Sequence, residues 1–229
     1  MNLSLAERLA SVAAAITAPC VIVAVAVMLF LNPIWVGFDQ GRSDVTGLTG
    51  YTAAQVQEVT GSILSDLVFG PPNFDVKVNN VQVLDDRARS HMADVRTVLM
   101  GFGLVALVAL ILLLIVAVAS RGRRWFWRAV SVGARVLVVG VLVVGGAFAL
   151  FFDQAFELFH EAFFPAGTYL FDPRTDKLVQ LFPDQFWSET SVAIAVAVLA
   201  LAVVVALVAG RLGRETGPAE QRAPAGWAP

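Results

Sequence analysis

The sequence predicts an all-α membrane bundle, four transmembrane helices carrying a small extracytoplasmic α+β cap built from the two outer loops. Three observations predict it. The 229-residue chain is 58% hydrophobic and only 15% charged, with a mean hydropathy of +0.74, more apolar surface than one soluble core can hide. Its apolar residues gather in four long runs without acidic residues, each close to the length that crosses a ~30 Å hydrocarbon core. The charged residues gather between those runs.

The first run, Leu9 to Leu31, holds no charge over 23 residues, and at about 1.5 Å per residue it exceeds the core thickness. It is long for a signal-peptide hydrophobic region and no A-x-A-like site ends it, so it is expected to remain as a helix. The others are Thr97 to Ser120, a third covering 129–152 with its uncharged part from Val136 to Phe152, and Thr190 to Gly210. Between them lie a long segment at 32–96, a short basic turn at 121–128 and a second long segment at 153–189. The tail, 211–229, is rich in Pro, Gly and Ala and reads as disordered.

Charge placement predicts orientation, because short cytoplasmic loops collect Lys and Arg. The head, the 121–128 turn with Arg135, and the tail hold nine of the sixteen basic residues, and fifteen of the eighteen acidic residues lie in the two long loops. Both termini are therefore expected in the cytoplasm and both long loops outside, with Trp35, Trp125, Trp127 and Trp187 at the interfaces.

The outer loops carry their own patterns. From Thr52 to Leu67, Val56, Val59, Ile63, Leu64 and Leu67 recur at near-helical spacing, with Thr52 or Thr49 as N-cap and Gly70-Pro71-Pro72 as a stop. The run FDVKVNNVQVL alternates up to Asn79-Asn80 and again after it, as a short hairpin does. In the second loop, Thr168 to Phe171 and Lys177 to Phe182 flank DPRTD and are expected as two more short strands. Neither loop is long enough to bury a core alone, so the two are expected to combine.

Several functions are excluded. A net charge of -2 with no basic arm gives nucleic acid no partner surface. The single cysteine, Cys20, forms no intrachain disulfide or multi-cysteine metal site. His160-Glu161 is followed by Phe164 where an H-E-x-x-H motif needs histidine, and no G-x-S-x-G elbow is present. The spans hold no central ionisable residue, which disfavours a transporter.

What remains is a pair. The chain has two histidines, His91 and His160, and both fall within about two turns of a predicted outer boundary. Asp94 stands at i+3 from His91 and Glu157 at i−3 from His160, so on helices each imidazole has a carboxylate in reach to fix its tautomer, as a general base needs. Arg87, Arg89 and Arg96 bracket His91 and could hold a head group or an oxyanion. One interfacial histidine beside acids is usually an ordinary solvated or capping residue, and the matched positions of two are what point to a site. The phenylalanines from Phe151 to Phe164 read as packing and anchoring. A metal site from His91, Asp94, Glu157 and His160 satisfies ligand chemistry, but a lone E-x-x-H is a weak motif.

Two segments, DRARSHMADVRTVL and FHEAFFPAGTYLFDPRTDKLVQLFPDQFW, resemble in order and spacing the signatures of the bacterial lipoprotein intramolecular transacylases, with Tyr169 standing where that family usually has tryptophan. The resemblance covers most of the chain. It implies an enzyme of the bacterial plasma membrane, acting at the outer leaflet on the N-terminus of a diacylated lipoprotein. There it would move the glycerol sn-2 acyl chain to the cysteine α-amine. It implies His91 and His160 as catalytic, no serine or cysteine nucleophile and no cofactor. Asp94 and Glu157 are expected to orient the imidazoles and Arg96 to stabilise charge. Two other readings stay open: a non-enzymatic lipid- or lipoprotein-binding membrane protein, and a metal-dependent membrane hydrolase.

Overall fold

A computed structural model describes residues 3–215. Four helices are long and apolar enough to cross a membrane. The first is α1 (Leu5–Phe30), started by a capping box in which Ser4 and Glu7 satisfy each other's backbone N–H groups. The second is α5 (Asp86–Ser120). The third combines α6 (Arg124–Gly140), a π-helical turn (Val141–Gly145) and α7 (Gly146–Leu150). The fourth is α10 (Asp184–Glu215). Helix α1 packs against α5, α6 and α10, and the most extensive pairing joins α6 to α10. Small residues allow it: Ala14, Ala18 and Ala26 of α1, Ala134 of α6 and Ala202 of α10 are all buried.

Helix α5 has 35 residues, about 52 Å of rise against a ~30 Å hydrocarbon core. Its first turns therefore stand clear of the apolar run and enter a polar layer made of both long segments. That layer holds α2 (Pro33–Arg42), α3 (Val45–Thr49), α4 (Ala53–Val68) and α9 (Lys177–Leu181). It also holds a two-stranded antiparallel ribbon, β1 (Lys77–Val78) and β2 (Val81–Gln82). Asn79 and Asn80, at φ 50° and 64°, make the two-residue turn with both central residues left-handed that suits a hairpin's twist. One core draws on both loops: Val59, Ile63, Phe74 and Leu84 from the first, Leu178 and Leu181 from the second, and Ala88 and Met92 from α5.

Helix α4 begins where its capping signal lies, with Thr52 and Gln55 forming the box. The second loop departs from expectation. Residues 168–171 form no strand, and Lys177–Leu181 is a helical turn. Leu178 and Leu181 sit three apart, so one helical turn buries both in the core, whereas alternation would put them on opposite faces. The expected tail is also shorter at its start, because α10 runs on to Glu215. The rest of that expectation, 216–229, lies outside the described residues.

Candidate active site

The first wall is the free end of α5. Asp85 caps it by accepting from the Ala88 N–H at 2.7 Å, and the face Ala88, His91, Met92 turns inward. His91 is 6% exposed. Its Nδ1 is buried with no hydrogen-bond partner.

The second wall is α8 (Phe152–Phe163), reached after a break at Phe151. None of its residues is buried. His160 lies in its last turn, with Nδ1 2.7 Å from the Phe156 carbonyl oxygen. That oxygen only accepts, so the bond puts the proton on Nδ1 and leaves the Nε2 lone pair free.

The two imidazoles face each other, ring centroids 6.0 Å apart and planes 22° from parallel. Phe164 joins them at 4.8 Å from His91 and 5.3 Å from His160. Phe171 stands 5.6 Å from His91 and carries the Arg87 guanidinium over its ring, 4.7 Å from the centroid. Phe156 and Tyr169 lie 4.2 and 5.2 Å from His160, and Trp187 backs Phe156 at 6.1 Å. The site is an aromatic box with two imidazoles in it. Around His91 and Phe164, which are buried, such walls lower the local dielectric and strengthen charge interactions.

The supporting residues are placed differently from one another. Asp94 is half-buried and near enough for its charge to act at His91, without a hydrogen bond to it. Glu157 is exposed, and the bond that orients His160 comes from the Phe156 backbone instead. Arg96 is corrected. It donates to the Asp66 and Gly70 carbonyls, at the end of α4, where unpaired carbonyls and the negative end of the helix dipole attract a cation. Arg87 pairs with Asp176 at 2.8 Å. Sequence reasoning treated Phe156 and Phe164 as anchors and placed Phe171 in a strand, and so missed all three as box walls. The i−4 and i+4 positions of Phe156 and Phe164 about His160 were the available signal.

Among the described residues no group of three His, Cys, Asp or Glu side chains is placed to hold a metal ion. No curated protein sequence matches the chain. Among solved structures it is similar to the membrane integral lipoprotein intramolecular transacylase Lit from Bacillus cereus, at 18% identity and a TM-score of 0.77, over 90% of this chain and 95% of that one. Forms of the same protein with a histidine replaced by arginine or by alanine match at a TM-score of 0.74. At this identity the likeness is one of fold. The family model for lipoprotein intramolecular transacylase Lit matches residues 12–187, which include both histidines and the whole aromatic box. The chain belongs to the lipoprotein intramolecular transacylase family and is an enzyme of that kind.

Proposed function

We propose that His91 and His160 together move the sn-2 acyl chain of a diacylglyceryl-cysteine lipoprotein onto that protein's own N-terminal α-amine. The observation that carries this is the stacked approach of the two rings from separate loops at 6.0 Å. The α-ammonium has a pKa of about 7.7–8.0 and must lose a proton before it attacks. His160 suits that task, because the Phe156 carbonyl holds its Nδ1–H and leaves Nε2 to accept.

His91 suits the complementary one. A buried N–H without an acceptor is rarer than a buried lone pair without a donor, so the unpartnered Nδ1 favours the tautomer with the proton on Nε2. That N–H would donate to the ester oxygen as the amine nitrogen adds to the carbonyl carbon. The C–O bond to glycerol then breaks; of the two protons the ammonium nitrogen sheds on becoming an amide, one passes through His160 to the departing glycerol oxygen and the other is released to solvent. Amine and ester belong to one molecule, so orientation in the box supplies effective molarity and no acyl-enzyme is needed.

The wider setting follows from the charge distribution. Both termini lie in the cytoplasm and the box faces the outer leaflet of a bacterial plasma membrane, where the acyl chains of the lipoprotein reside. Asp94 steadies His91 electrostatically. A diacylated lipopeptide carrying an isotope label in its sn-2 chain tests the reading. The label is expected on the amide nitrogen by mass spectrometry; label retained on glycerol, with an amide formed from another chain, would contradict it.

A further inference from the structure

We propose that a groove between α1 and α6, at the end of the bundle opposite the histidines, binds one anionic glycerophospholipid through Arg128. The inference stands independently of the acyl-transfer reading. The groove starts at a close helix contact. Gly133 of α6 lies directly against the Ala15 carbonyl of α1, where any Cβ would collide with it. One turn nearer the chain terminus the contact gives way to a groove of about 380 Å³, walled by Ser11, Val12 and Ala15 of α1 and by Trp125, Arg128 and Val132 of α6.

Its surfaces differ in kind. Val12 and Val132 are 58% and 52% exposed on helices long and apolar enough to cross a membrane, so hydrocarbon is the medium that covers them. Arg128 is exposed at the mouth and makes no hydrogen bond or ion pair among the described residues. Glu7, at the same end of α1, pairs with Arg123. Arg8, on the same end of α1, donates to the Leu3 carbonyl and adds a second positive charge.

An apolar slot under a guanidinium that no carboxylate engages among the described residues matches a molecule with a hydrocarbon tail and an anionic head. A phosphodiester accepts two parallel N–H bonds from guanidinium, and Ser11 on the α1 wall of the same groove carries a further hydroxyl donor. The excess of positive charge selects a lipid with net negative charge, since a zwitterionic head brings its own ammonium toward Arg8 and Arg128.

The test is lipid retention by the full chain in nanodiscs of equal phosphatidylglycerol and phosphatidylcholine, read by native mass spectrometry. The wild-type protein is expected to retain phosphatidylglycerol in preference. Arg128→Gln should reduce that preference about fivefold, the factor of one guanidinium near an anionic lipid surface, and Arg128→Lys should keep most of it. The histidine site lies at the other end, so transacylation by Arg128→Gln should persist and report that the variant is folded. Inorganic phosphate should give no thermal stabilisation that depends on Arg128. Equal retention of the two lipids by the wild-type protein would overturn the proposal whether or not any variant folds. Unchanged preference in Arg128→Gln, or an Arg128-dependent stabilisation by inorganic phosphate equal to that by phosphatidylglycerol, would overturn it too.

Discussion

The two walls of the box are built in opposite ways. His91 is carried by a 35-residue helix whose inward face is continuous with the core of the polar layer, alongside buried Ala88 and Met92. His160 is carried by a 12-residue helix with no buried residue, joined to its span through a break at Phe151 and preceded by a π-helical turn. Apolar side chains on α8 stand open, Leu158 at 65%, Phe163 at 53% and Phe159 at 43%. A site with one fixed wall and one lightly held wall can admit a substrate with long chains and still close two imidazoles upon it. Low burial is what gives a segment a low local opening energy.

This contrast can be broken experimentally, and activity is where the largest effect is expected. Alanine at either histidine should lower transacylation by roughly 10²–10⁴-fold, the range for a positioned acid–base group, measured on a purified diacylated lipopeptide. The effects on stability should diverge. His91→Ala opens a hole in packed surroundings and should lower the unfolding temperature, whereas His160→Ala should leave it nearly unchanged.

Positions away from the histidines sharpen the same comparison. Leu181 is fully buried in the core behind α5, and Leu181→Ala should cost about 2–5 kcal/mol in denaturant unfolding. Leu158→Ala on α8 should stay within about 0.5 kcal/mol. Arg96→Gln removes charged donors from the end of α4 and should cost about 1–3 kcal/mol. Its activity loss should follow stability and recover on cooling, which a charge-stabilising role at the ester would not allow.

The smallest effect concerns Asp39. Burial pushes its carboxyl above the usual carboxylate range, against a hydrogen bond accepted from Thr190 at 2.8 Å. The folded protein therefore holds this proton more tightly than the unfolded chain does. The resulting stability is full below the unfolded pKa of about 3.9 and is lost as pH rises through the higher folded value. Unfolding temperatures from pH 4 to 8 should fall less steeply in Asp39→Asn, which keeps an acceptor for Thr190 and removes the titration.

The parts of this fold that follow local rules were legible in the sequence. Charge-free runs marked the four long helices, Thr52 and Gln55 marked the start of α4, and Asn79-Asn80 marked the hairpin turn. The approach of His91 to His160 was legible because both sat at the same predicted depth. What escaped depends on neighbours distant in sequence. Lys177–Leu181 is helical because Leu178 and Leu181 share one tertiary core, and short segments take the conformation that core selects. Arg96 answers carbonyls thirty residues earlier rather than the nearby histidine. The orientation of His160 comes from a backbone oxygen, to which sequence patterns of carboxylates are blind.

The central claim is that the two histidines act as one unit, and a double-mutant cycle in single-turnover transacylation measures it directly. Groups that act as a unit are strongly non-additive. The account predicts that His91→Ala/His160→Ala is scarcely slower than the worse single variant. Multiplying losses, or full activity in either single variant, would contradict it.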